Sequence, residues 1–238
     1  MLIKIIIAEL IFFFSYTVHA ITGFAGNVLA FPLSSYILGM YDTKVILNSM
    51  ALISSVMIAF GSFKSVNWKE LVKIIFIMII GIIAGTFICK IIDSESGLLT
   101  IYGILILCVG IKNLFFKKTY RLNTFILLII LLIAGIIQGM YLSGGAFLVI
   151  YATQVLKDKN EIRATLGMVW VFVYLGSVIT QVHQKMYNAQ NLKIIVIGII
   201  PLIISAWLGK RLAKAINQEK FLKLTYALLI VLGLFLVF

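Results

Sequence analysis

Apolar runs of about membrane-spanning length recur along the whole chain, separated by short polar gaps. They fall at about 2–21, 24–40, 45–63, 70–92 and 97–116, and again at about 123–139, 144–156, 162–183, 192–212 and 219–238. A transmembrane helix needs about 20 predominantly apolar residues, so the pattern predicts helices throughout. The gaps at 41–44, 64–69, 93–96 and 117–121 carry the turn and charge signals. Two segments, 24–40 and 144–156, are short. Each follows a glycine-containing break, and the first carries Pro32.

Composition turns that pattern into a fold class. The 238 residues are 63% apolar and 12% charged, against about 45–50% and about 25% in ordinary globular domains, and the mean hydropathy is +1.16. No water-soluble surface can be built from such a chain, so it reads as an all-α integral membrane protein whose first partner is the lipid bilayer. Its formal charge of +12 would suggest nucleic-acid binding only if the cations clustered on one folded face. They sit instead in the gaps, and no nucleic-acid partner is expected. The N-terminal run, with Lys4 and Val18-His19-Ala20, resembles a signal peptide. Cleavage would remove one helix of a matched pair, so the run is expected to stay.

The pairing comes from an internal repeat. A shift of 124 positions lays 79–106 on 203–230, with identities at Gly85/Gly209, Lys90/Lys214, Glu95/Glu219 and Tyr102/Tyr226. A shift of 117 lays Thr43-Lys44-Val45 on Asn160-Glu161-Ile162, and one residue of slippage brings Gly23 onto Gly139. The halves are 1–121 and 122–238. If all ten segments cross, 15 of the 20 Lys and Arg collect on one side; if the two short ones do not, the split is 10 to 10. The positive-inside rule then predicts ten crossings with both termini outside. Five crossings per half is odd, so the two five-helix repeats are inverted. Inverted repeats with broken helices at matching positions mark transporters, with the substrate at the breaks.

The breaks are the candidate chemistry: Thr22-Gly23-Phe24-Ala25-Gly26-Asn27 ahead of Pro32, and Gln138-Gly139-Met140-Tyr141-Leu142-Ser143-Gly144-Gly145. Unwound backbone survives in a bilayer only where it lines a cavity or is covered by protein. A short helix starting there points free N–H groups and a positive dipole end into that cavity. Two facing breaks would form an anion cradle, with Gly23, Phe24, Gly26, Gly139, Gly144 and Gly145 in its walls and Asn27 and Ser143 as side-chain donors. The plainer alternative is that these glycines serve only close helix packing.

Gly23-Phe24-Ala25-Gly26-Asn27 with Pro32, and Tyr141-Leu142-Ser143-Gly144-Gly145 in the second half, resemble the breaks of the sulfite exporter TauE/SafE-like proteins, also called the toluene sulfonate uptake permease family. In that family a small-polar segment follows each break, here Asn48-Ser49 and Ala164-Thr165. The resemblance spans essentially the whole chain. Ala25 and Asn27 stand where the family has glycines, and no proline in the second half matches Pro32. The resemblance implies transport of sulfite, sulfonates or related small organosulfur anions, coupled to protons, with Asn48, Ser49 and Thr165 among the substrate contacts. It implies a multi-pass protein of the bacterial inner membrane, and Ile- and Lys-rich composition points to an AT-rich bacterial genome.

Ionisable residues inside membrane segments are costly and functional by default. Glu9 and His19 are ten residues apart, about 15 Å along a helix; they cannot pair, but both can border one aqueous path, and His19 near Gly23 suits a proton relay. The alternative places both as interfacial anchors, and His183 reads as a solvated loop residue. Trp170, Trp207, Tyr174 and the Phe-rich stretches read as packing or lipid-facing. Cys89 and Cys108 offer neither a disulfide framework nor zinc spacing, and their mismatch in depth argues against a thiol–disulfide electron carrier. No zinc or Ser/His motif suggests an enzyme. No cofactor or metal is expected, and a homo-oligomer is compatible with the pattern. A narrow anion channel, or a carrier of another small anion such as a carboxylate, remains the alternative.

Overall fold

The computed structural model describes residues 2–22, 25–60, 63–91, 95–115, 122–156 and 159–215, with isolated residues between 223 and 237. Among the described residues every element is helical: α1 (Leu2–Thr22), α2 (Gly26–Leu38), α3 (Met40–Phe60), a 3-10 turn (Phe63–Ser65), α4 (Trp68–Ile91), α5 (Glu95–Phe115), α6 (Thr124–Tyr141), α7 (Gly145–Val155), α8 (Lys159–His183) and α9 (Ala189–Ala215). Six of these, α1, α3, α4, α6, α8 and α9, are long and apolar enough to cross a membrane. The expected segment 219–238 falls largely outside the described residues; those described there are helical, and Ile230 and Gly233 pack against Gly110 and Gly103 of α5.

The two short segments are half-helices. With 13 residues in α2 and 11 in α7, they are about 20 and 16 Å long at 1.5 Å per residue, against a hydrocarbon layer of about 30 Å. Neither crosses that layer by itself.

Glycine brings the long helices into backbone contact. A Cβ built on Gly81 would lie 2.5 Å from the Leu132 carbonyl oxygen, and one on Gly135 would lie 2.5 Å from that of Met78. Gly85 and Gly139 similarly abut the Ile136 and Ile82 carbonyls. Contacts 78–135 and 82–139 rise together, so α4 and α6 run in the same direction. Packing of this kind, rather than hydrophobic collapse, is what holds helices together where lipid is as apolar as leucine. Helices α1 and α9 pair alike, with Gly209 against Ala20 and Gly198 beside Glu9. Offsets of 124 and 116 carry the Gly85–Ile136 contact onto Gly209–Ala20.

Helix α3 packs against both α8 and α9, and α8 also against α4. Helices α3 and α8 run in opposite directions: Gln181 donates to the Lys44 carbonyl near one end, and Gly167 meets Ile58 near the other.

Replacing Gly135 by Val should force α4 and α6 apart and lower the thermal unfolding midpoint in detergent, by overpacking worth about 1–3 kcal/mol. Gly176→Ala, where nothing lies within 4 Å of the added methyl, should leave the midpoint unchanged or raise it.

Candidate functional site

Helix α1 ends at Thr22 and α2 starts at Gly26; Gly23 and Phe24 lie outside the described residues. Gly26 is a close-approach position, since a Cβ there would sit 2.7 Å from that of His19. The second break is tighter than the sequence pattern suggests. Gln138 and Gly139 remain in the last turn of α6, and the chain turns at Leu142, which adopts a left-handed conformation (φ 55°). Gly144 then leads into α7, packed against the Ala134 carbonyl where a side chain has no room.

Tyr102 joins the two breaks. Pro32, inside α2, has no N–H for the carbonyl four residues back, that of Val28. The Tyr102 hydroxyl donates to this carbonyl at 3.0 Å and to Ser143 Oγ at 2.7 Å, its one proton shared between them. Ser143 Oγ in turn donates to the Tyr141 carbonyl at 2.9 Å. The Tyr102 ring stacks on Tyr141 with centroids 4.7 Å apart, and Phe31 meets both rings edge-on. One tyrosine of α5 thereby ties α2 to the α6–α7 turn.

Asn27 is held on both sides. Its Oδ1 accepts from Tyr16 at 3.0 Å, and its Nδ2 donates to the Tyr174 hydroxyl at 3.2 Å. Tyr16 also reaches the Leu47 carbonyl, and Trp170 stacks on Tyr174. The Gly144 N–H, the first donor at the α7 start, meets Gln138 Oε1 at 3.1 Å. In this conformation the side chains of Asn27 and Ser143 therefore serve as struts between helices, and Gln138 caps the half-helix from inside. Gly145, the first residue of α7, is buried beside them.

A cavity of about 860 Å³ opens between α3, α4, α6 and α8. It runs from Tyr41, Lys90 and Gln184 at one end of the bundle to Asn48, Gln138, Gly139 and Leu142 at the second break. Lys44 lies in it, donating to Cys89 Sγ at 3.3 Å, and Cys89 reaches the Met140 carbonyl at 3.7 Å. The α4 wall is apolar, built from Ile75, Ile79, Ile82 and Ile83. Ser49, next to Asn48, hydrogen-bonds Tyr187 at 2.8 Å.

The opposite end of the bundle carries a polar network. Thr165 Oγ1 accepts from the Asn67 N–H at 3.0 Å, and Asn67 Nδ2 donates to Glu161 at 2.7 Å. Glu70 accepts from Tyr151 at 2.7 Å and pairs with Lys73 at 3.8 Å. Of the small-polar residues, then, Asn48 faces the cavity, Ser49 ties α3 to the α8–α9 connection, and Thr165 sits at the opposite end.

The two ionisable candidates separate. His19 is buried (3% exposed) at the first break, edge-on to Tyr16, and so is no interfacial anchor. Both Glu9 oxygens are buried with no hydrogen-bond partner; one lies 3.1 Å from where a Gly198 Cβ would be, in the interior between α1 and α9. His183 is exposed. Trp170 and Tyr174 are buried, whereas Trp207 is 55% exposed with Arg211 over its ring. Both cysteines are free, and among the described residues no three His, Cys, Asp or Glu side chains cluster as a metal site.

Sequence reasoning passed over Tyr102 as a strut, Tyr174 as a partner of Asn27, and Gln138 and Lys44 as cavity residues. The available signals were Pro32 inside a short helix, which demands an outside donor, and a lone glutamine deep in an apolar run.

Compared with known proteins, the chain matches a family described as sulfite exporter TauE/SafE over residues 9–236. No curated protein and no solved structure matches it.

Tyr102→Phe should lower the thermal unfolding midpoint in detergent by an amount equivalent to about 1–2 kcal/mol, because it leaves the buried Val28 carbonyl without a donor. Adding Pro32→Ala, which restores an N–H four residues on, should recover part of that loss; no recovery would show that the carbonyl is not what Tyr102 serves.

Proposed function

The chain belongs to the sulfite exporter TauE/SafE family of membrane transporters, and from that premise we propose a secondary carrier of a small sulfur-containing oxyanion, sulfite or a sulfonate, working by alternating access with proton coupling. The observation that carries this reading is the asymmetry of the bundle. The cavity reaches the second break from one end, while at the other the Asn67, Glu161 and Thr165 network ties the start of α4 to α8, and in this reading that network is the closed gate. A channel would need a path through both.

The ten-segment inverted repeat is part of the proposal. Its support is the equivalence of the α4–α6 and α1–α9 contacts under the repeat offsets, together with two half-helices at matching positions. In this arrangement α1–α2 and α6–α7 bend at the breaks, and the open cavity faces outside, because its end carries Lys44, Lys90 and Lys185 while Lys64, Lys69 and Lys73 lie at the closed end. The anion sits where the breaks converge, against the backbone around Gly23 to Gly26 and Gly139 to Gly145. In the outward-open state Gln138 holds the Gly144 N–H; the carried anion displaces it. Glu9 and His19 are the proton sites, and Glu9 has the stronger support, since a carboxylate with both oxygens buried and unpartnered is costly to keep unless it titrates.

Proteoliposome uptake of labelled sulfite and sulfonates tests the reading. A pH gradient should drive accumulation above the outside concentration, and a protonophore should abolish it. Equilibration alone at every gradient would mean a channel or a facilitator. Glu9→Gln should retain anion exchange and lose accumulation, and Asn67→Ala should raise labelling of closed-end cysteines introduced at Ser65, by about tenfold for a loss near 1.4 kcal/mol of gate stability.

A further inference from the structure

We propose that Lys44, with Gln138 and Asn48, forms an anion-binding subsite on the open cavity, the station at which the ion is held before it reaches the half-helix breaks. It rests on the reading of the chain as an anion carrier. The first observation is charge. Lys44 lines the cavity at the start of α3, and among the described residues no carboxylate comes within 4 Å of its ammonium group. Among the described residues its hydrogen-bond partner is Cys89 Sγ at 3.3 Å, which leaves ammonium protons for a ligand. An ammonium group kept in a membrane protein without a counter-ion is expensive.

The second observation is independent of charge. Three further residues lining the same cavity are nine-tenths or more buried and hold polar atoms outside hydrogen-bond geometry with any partner: Gln138 Nε2 (residue 1% exposed), which faces the Tyr174 hydroxyl, Asn48 Oδ1 (3%) and Gln181 Oε1 (7%). Buried polar groups are ordinarily hydrogen-bonded, and an unsatisfied one costs about 1–3 kcal/mol. Three of them on one cavity, beside one uncompensated cation, make a surface built for a polar guest. Gln138 Nε2 offers an N–H donor. The side-chain amide of Asn48 can turn to offer its own. An oxyanion accepting from Lys44, Gln138 and Asn48 satisfies those donors; Gln181 Oε1 is itself an acceptor and takes no part in holding it.

The position makes it a station on a path. Cys89 bridges Lys44 to the Met140 carbonyl, two residues before the left-handed turn at Leu142. Gln138 lines the cavity while its Oε1 caps the Gly144 N–H. A ligand that engages Gln138 pulls on the cap of α7, so occupancy of the subsite frees the donor that the next site uses. Lys90, the other cation of the cavity, lies at the rim over the Phe87 ring and screens approaching ions without reaching the break.

Cys89 is a native reporter for this site. In the Cys108→Ser protein, reconstituted in liposomes, Cys89 should react faster with 2-sulfonatoethyl methanethiosulfonate than with the 2-trimethylammonioethyl reagent. Lys44→Gln should lower that ratio by at least about tenfold, the scale of one unit charge a few ångströms away at an effective dielectric near 20, and Lys44→Arg should retain it. Using a ratio removes any change in thiol reactivity that Lys44 itself causes. Methanesulfonate should slow the labelling of the Cys108→Ser protein and not of its Lys44→Gln variant, at ionic strength held constant with chloride. Equal rates for the two reagents with Lys44 intact, or protection that survives in Lys44→Gln, overturns the subsite, whatever the uptake assay shows. Loss of all anion uptake with charge-selective labelling intact would overturn the carrier reading and leave the subsite standing.

Discussion

One hydroxyl proton, that of Tyr102, links the half-helix α2 to the turn between α6 and α7. Pro32 strips the Val28 carbonyl of its helical donor, and Tyr102 supplies another while also holding Ser143. A helix interior that lacks an N–H normally turns its free carbonyl to water; in a bilayer there is none, so the group must find a protein partner. That requirement draws α5 against both α2 and the α6–α7 turn. The stacked Tyr102–Tyr141 pair and the edge of Phe31 keep the hydroxyl where both acceptors need it. Asn27, Tyr16 and Tyr174 do the same at the first break.

Close packing and binding make different demands on the same glycines; packing is what the structure shows, and the proposed cradle asks the breaks to serve both. Gly139 faces the cavity and also lets α4 approach α6. Gly26 and Gly144 sit against His19 and the Ala134 carbonyl with no room for a side chain. Packing and an anion cradle are therefore not competing explanations here: helices pressed together through glycine are what hold two half-helix ends rigidly near one another. Rigid elements on either side of a hinge are also what a rocking carrier needs.

The ends of the bundle differ in what their polar groups do. At the end away from the cavity, Thr165 and Glu161 are both engaged with Asn67. Their repeat counterparts under the 117 shift, Asn48 and Lys44, line an open cavity, with Asn48 Oδ1 unpartnered. Asn191, the counterpart of Asn67 under the 124 shift, reaches Asp42 at 3.4 Å. Under the proposed repeat, matching positions thus differ, hydrogen-bonded to one another at one end and lining a cavity at the other. A pseudo-symmetric carrier exchanges such arrangements between its ends.

Much of this was legible in the chain itself, for local reasons. Run length and hydropathy set the helices and the membrane class; glycine and Pro32 marked the interrupted segments; identities at fixed offsets are the sequence's argument for the proposed duplication. The charge split, by contrast, depends on topology: Lys44 falls on the minority side only if all ten segments count as crossings, which is the arrangement proposed above. What a linear pattern does not contain is which side chains meet across helices. Asn27 and Ser143 read from sequence as ligand donors; in this structure they hydrogen-bond Tyr16, Tyr174 and Tyr102, which arrive from α1, α8 and α5. Gln138, Lys44 and Cys89 became neighbours only when α3, α4 and α6 closed around one cavity, since a partner for a buried polar atom is a property of the packing and not of its neighbours in sequence.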